Sequence, residues 1–111
     1  MTLLAVAALS ARLLAQAAAS DGFDVVALDL FGDADTRRAS RQWQPIGEPG
    51  TMRIESDRVL AALHALAGRA DVLGWVAGSG FEGLPDLLDE AAGVLPLLGT
   101  APAAVRRVRD P

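Results

Sequence analysis

Apolar and polar positions along the chain alternate between two periods. Thr2 to Leu9 is a continuous apolar run, short enough for a strand buried on both faces. Ser10 then offers a helix N-cap, and Ala11 to Ser20 follows in strong helix formers, with Leu13, Leu14, Ala17 and Ala18 at helical spacing. Gly22 stands where such a helix ends. Phe23 to Leu30 is a second unbroken apolar run, which predicts a second strand and so a βαβ unit with a right-handed crossover.

Asp33 to Ser40 is polar and fits a short helix or loop. Arg41 to Ile46 reads as a short edge strand stopped by Pro45, and Gly47-Glu48-Pro49-Gly50 as a loop. Ser56 is placed to cap a helix whose apolar face is Val59, Leu60, Leu63 and Leu66, ending near Gly68. Asp71 to Ala77 is the next strand, and Gly78-Ser79-Gly80-Phe81-Glu82 the loop after it. Leu84 to Ala92 is a helix with Pro85 in its first turn, and Gly93 ends it. Val94 to Leu98 is the last strand. Thr100 caps a final helix from Ala101 to Arg109.

This alternation predicts an α/β fold: a three-layer, Rossmann-like single domain with a parallel sheet of about five strands and helices on both faces. The expected strand order is 3-2-1-4-5. Ligands of such sheets bind at the carboxyl ends of the strands, where the order reverses. Three loops meet at that switch point: Ser10-Ala11-Arg12, Asp29 to Asp35, and Gly78 to Glu82.

Composition narrows the chemistry. The 111 residues suffice for one core, and 51% of them are hydrophobic, which argues for a packed core and against disorder. A formal charge of −4 argues against nucleic acid or an anionic membrane as partner. Cysteine is absent, so there is no disulfide and no thiolate metal site, which fits a cytoplasmic protein. All ten Lys/Arg positions are arginine; without lysine there is no Schiff base and no P-loop. One histidine cannot build a multi-histidine metal cage. Met1 to Ser20 has an apolar run like a secretory signal, but no positive charge precedes it and Arg12 interrupts it. No run reaches the ~20 residues of a membrane span.

Each candidate site has a plainer reading beside it. Leu9-Ser10-Ala11-Arg12 lacks the glycines by which a dinucleotide fold brings backbone to a pyrophosphate, although Asp29 stands where a ribose-binding acid would. Ser10 is a helix cap, a ligand-binding hydroxyl, or both. Arg12 opposes the helix dipole, which raises interest in a binding role over a solvated one. Asp29-Leu30-Phe31-Gly32 has the look of a phosphatase nucleophile strand, but the basic partner and distal acid pair are missing. Asp33 and Asp35 would equally cap a short helix, with Gly32 turning the chain. The Gly78–Glu82 loop has amides that could cradle an anion, or is an ordinary turn. Ser79 has no base near it, and His64 falls on a helix remote from it, so a Ser-His-Asp triad is not expected. Trp43 and Trp75 read as core.

Taken together, certain segments resemble the N-terminal domain of an ATP-grasp ligase. They are Leu9-Ser10-Ala11-Arg12, Val26 to Thr36, Gly78-Ser79-Gly80-Phe81-Glu82, Pro96-Leu97-Leu98-Gly99 and Val105 to Pro111. The nearest group is the carboligase-like ATP-grasp proteins of methylotrophs and methanogens. The resemblance spans essentially the whole chain. It implies a pre-ATP-grasp domain that forms one wall of an acceptor-substrate cleft, lined by Ser10, Arg12, Asp29, Asp33, Ser79 and Glu82. Ser10 and Arg12 would orient an anionic group; Asp29 and Glu82 would take donors. No catalytic residue, metal ligand or cofactor belongs to this chain on that reading. ATP and Mg would bind to downstream lobes of the same polypeptide, expected after Pro111. The implied chemistry activates a carboxylate as an acyl phosphate and passes it to an amine or similar nucleophile. In some members the setting is tetrahydromethanopterin-linked one-carbon metabolism. Homo-oligomerisation is left open. The alternative is a free-standing Rossmann-like module that binds a small metabolite or regulates.

Overall fold

The computed structural model describes residues 2–100, with the backbone alone at Thr100. Five strands form one parallel sheet: β1 (Leu3–Ala7), β2 (Asp24–Asp29), β3 (Gln42–Pro45), β6 (Val72–Ala77) and β7 (Leu97–Thr100). Two further strands, β4 (Gly47–Glu48) and β5 (Arg53–Ile54), pair antiparallel as a separate ribbon. The sheet order is β3-β2-β1-β6-β7. With the ribbon set aside, this is the 3-2-1-4-5 order expected from the sequence, and the switch lies between β1 and β6.

The helices are α1 (Arg12–Ser20), α2 (Ala34–Ala39), α3 (Ser56–Ala67) and α4 (Pro85–Val94). They cover both faces of the sheet. Side chains of β1 alternate between two cores, as pleating requires. Leu3, Ala5 and Ala7 join Val26, Leu28 and Trp75 against Val59, Leu63 and Leu66 of α3 and Leu87 and Ala91 of α4. Leu4 and Val6 join Val25, Ala27 and Val76 against Ala15 and Ala18 of α1. Small residues on that face of α1 let the helix lie close to the sheet. The continuous apolar runs of β1 and β2 follow from this burial on both sides.

Several local expectations change. Ser10 does not cap α1: Ala11 is the N-cap residue, and its side chain makes no capping bond. Ser56 is the first residue of α3, with Glu55 as N-cap and no side-chain cap. Gly93 lies inside α4, which ends at Val94; its C-cap Leu95 is held in extended backbone (φ −142°, ψ 136°) by Pro96. The last strand therefore starts at Leu97 rather than Val94. The loop at 47–50 is half of the β4–β5 ribbon, because Gly47 allows the backbone of Arg53 to approach where a Cβ would collide with its carbonyl oxygen. Met52, in the ribbon's turn, has φ 53° and is the only non-glycine with positive φ among the described residues. Thr100 closes β7; the helix expected from Ala101 to Arg109 lies outside the described residues.

Candidate functional site

The three loops that follow β1, β2 and β6 are joined by backbone hydrogen bonds. The N–H of Leu9 donates to the carbonyl of Ser79 at 2.8 Å, and the N–H of Leu30 to that of Leu9 at 3.2 Å. Gly78 donates to Ala7 at 2.7 Å. The ribbon closes over the same end of the sheet: a Cβ on Gly80 would meet Leu9 and Ile54, at 2.6 and 2.8 Å. The switch point is thus a continuous rim, built because β1 is central and its two neighbours end level with it.

Asp29 is the hub beneath this rim. It is 0% exposed. Its Oδ2 accepts from the backbone N–H of Ala11 at 3.0 Å. Its Oδ1 accepts from the N–H of Gly32 at 2.9 Å and from the indole Nε1–H of Trp43 at 2.7 Å. One carboxylate therefore ties the start of α1, the turn after β2 and the edge strand β3. Expected from the resemblance to take donors from a substrate, Asp29 takes them from its own chain. Gly32 has φ 53°, and a Cβ there would lie 2.5 Å from the Trp43 ring, so glycine serves both the turn and the indole. Arg37 completes the stack. Its Nε–H donates to the Gly32 carbonyl at 2.7 Å, and its guanidinium lies 4.3 Å from the Trp43 ring centroid. Trp43 is half-buried and stacked from within the chain, whereas Trp75 is fully core.

The exposed residues of the rim differ in how far they are already engaged. Ser10 is exposed and its hydroxyl has no hydrogen-bond partner among the described residues. Arg12 is exposed and forms a loose 3.7 Å ion pair with Asp35, which also holds Arg38 at 3.0 Å. Asp33 caps α2: its Oδ1 accepts from the N–H of Thr36 at 2.9 Å and from the Thr36 hydroxyl at 2.8 Å. Ser79 is exposed, fixed by its carbonyl to Leu9. Glu82 folds back so that both carboxylate oxygens accept from the Gly80 N–H, at 3.1 and 3.2 Å. An amide in the loop that could have met an external anion is thereby used by a carboxylate two residues away. Phe81 anchors the loop from below, edge-on to Trp75 with centroids 5.6 Å apart. His64 lies exposed on α3.

Sequence reasoning missed Arg37 and gave Trp43 no polar role. Both lie within the sequence neighbourhood of Gly32, but their convergence depends on β3 pairing beside β2. Among the described residues no group of His, Asp and Glu is placed to hold a metal ion, and no helix is long and apolar enough to cross a membrane.

Hydrogen bonds from the Thr36 amide, then from its hydroxyl, with the Arg12 charge adding, hold the Asp33 pKa below the ordinary aspartate value. A carboxylate whose folded pKa is depressed contributes stability that is complete above its unfolded pKa and is lost as pH falls through the folded one. Acidification is therefore expected to loosen the α2 cap only below the usual aspartate titration. In an NMR titration, Thr36→Val should raise the Asp33 midpoint towards the ordinary value, and Arg12→Ala should raise it by less.

No protein-family model matches the chain, and neither curated proteins nor solved structures give a match.

Proposed function

We propose that this chain is the substrate-side, pre-ATP-grasp domain of an ATP-grasp ligase, forming one wall of the acceptor cleft and adding no catalytic group of its own. The observation that carries this reading is the Asp29 carboxylate on the Ala11 amide. In dinucleotide-binding members of this fold, the start of the first helix receives a pyrophosphate. Here a buried anion of the chain itself holds that place, so a nucleotide phosphate meets like charge and an occupied donor. ATP, with its Mg, is then held by lobes outside residues 1–111. The exposed rim of Ser10, Arg12, Asp33, Ser79 and Glu82 is left to face an acceptor substrate. Arg12 would steer an anionic group, with the Ser10 hydroxyl beside it. Asp29 positions the rim instead of touching substrate.

Two measurements test this. Calorimetric titration of residues 1–111 with Mg-ATP is expected to give no binding in the micromolar range; micromolar affinity would overturn the reading. In the full-length enzyme, phosphate release from Mg-ATP should depend on an acceptor. Arg12→Ala should raise the acceptor KM about fivefold to tenfold while leaving that for ATP unchanged, since the removed charge binds ground and transition state alike. A free-standing metabolite-binding module is the second reading. The cleft beside the ribbon, formed by this chain alone, is what favours it.

A further inference from the structure

The β4–β5 ribbon and the first turn of α3 border an open cleft of about 720 Å³. Small-molecule sites commonly span about 300–1,000 Å³. Its walls are held together before any ligand arrives. The Arg58 guanidinium reaches Glu48 on β4 at 3.1 Å, Glu55 at 3.2 Å and the carbonyl of Gly47 at 3.5 Å. This clamp ties ribbon to helix and gives two of the cleft's carboxylates a shared partner. Ile54 gives it an apolar patch, and behind Ile54 stands Gly80 of the rim.

Two charged side chains in the cleft remain without a partner, one of each sign. Arg53 and Asp57 both line it, both are exposed, and neither side chain has a hydrogen-bond or ion-pair partner among the described residues. Arg53 is singular in this. Arg12, Arg38, Arg41, Arg58 and Arg69 are all in ion pairs, and Arg37 is stacked on Trp43. Among the described residues, Arg53 is the one guanidinium left without such a contact. It follows Met52, the non-glycine residue held in the left-handed region, so the turn that presents Arg53 is kept in a strained form.

We propose that this cleft binds a small zwitterion bearing a carboxylate and an ammonium group. A guanidinium fork takes a carboxylate through two parallel N–H donors. Asp57 takes the ammonium. A simple carboxylate leaves Asp57 without a partner, and a simple amine leaves Arg53 without one. A polyphosphate is repelled, because three carboxylates face two guanidiniums there. The site shares no residue with the rim of Ser10, Arg12, Asp33, Ser79 and Glu82, and so does not rest on the ligase reading.

The test is ¹⁵N NMR titration of residues 1–111 with glycine, β-alanine and 4-aminobutyrate, against acetate, ethylammonium and ADP. At least one zwitterion should shift the amides of Arg53, Ile54, Ser56 and Asp57 saturably, with a Kd below about 1 mM. Acetate, ethylammonium and ADP should not saturate. Arg53→Ala and Asp57→Asn, both at exposed positions and checked for native spectra, should each weaken binding about tenfold or more. Absence of saturable shifts with every zwitterion would overturn the proposal. So would an equal response to acetate, shifts confined to the rim, or full affinity in both variants.

Discussion

Replacing Asp29 with alanine is expected to lower the unfolding free energy by about 3–6 kcal/mol, which is much of the roughly 5–15 kcal/mol that a domain of this kind possesses. The carboxylate is fully buried and accepts from three donors. Removing it strands the amides of Ala11 and Gly32 in the interior, and each orphaned donor costs about 1–3 kcal/mol. The Trp43 indole is only half-buried and recovers part of its loss from water. Asp29→Asn should fall in between. Its carbonyl oxygen still accepts from Gly32 and Trp43, but its NH₂ then faces the Ala11 N–H, donor against donor. Trp43→Phe removes a single donor and should cost only about 1 kcal/mol through that bond. Urea denaturation followed by circular dichroism ranks the three variants. A stable Asp29→Ala protein would show that Asp29 is no hub.

Trp75→Ala should cost about 3–5 kcal/mol, the range for truncating a buried aromatic. Trp75 is 0% exposed, its Nε1–H donates to the Leu95 carbonyl at 3.1 Å, and its ring meets Phe81 edge-on. The loss is not only of stability. Phe81 is the buried anchor of the Gly78–Leu84 loop, so faster amide exchange is expected across that loop, while α1 on the opposite face keeps its protection. Trp75→Phe retains most of the apolar contact but leaves the Leu95 carbonyl unpaired, and should cost about 1–3 kcal/mol. Exchange rates measured by NMR at matched stability separate loosening of the loop from global unfolding.

The sheet was legible in the sequence because its central strands β1 and β2 are buried on both faces. That burial writes Leu3 to Ala7 and Val25 to Leu28 as unbroken apolar runs, and strand–helix alternation limits the order. The α2 cap was legible in part: of Asp33 and Asp35, both read as caps, Asp33 caps the helix, whereas Asp35 lies in its first turn and pairs with Arg12 and Arg38. The misread features depend on partners that are distant in sequence or on very short pairings. Local capping preference pointed to Ser10, but the donor at the start of α1 is met by Asp29, eighteen residues on. The ribbon pairs two residues with two, too few to show a period, and it exists because Gly47 permits backbone contact. Gly93 was a plausible helix stop, yet the helix runs on until Pro96 bars its preceding residue from helical backbone. At the candidate site, the loops that meet were legible from strand order. The burial of Asp29 was not, because it requires Trp43 to arrive from β3.

That arrival has a consequence for the order of assembly. The β1–α1–β2 unit contains Asp29, Ala11 and Gly32, but the indole that covers them belongs to the edge strand. Until β3 docks, the carboxylate keeps its hydration, and a hydrated charge at the end of β2 holds that end of the core open. An edge strand is ordinarily an optional last addition to a sheet. Here it brings the third donor to a buried carboxylate, so a chain truncated before Trp43 is expected to leave the Asp29 end of β2 hydrated.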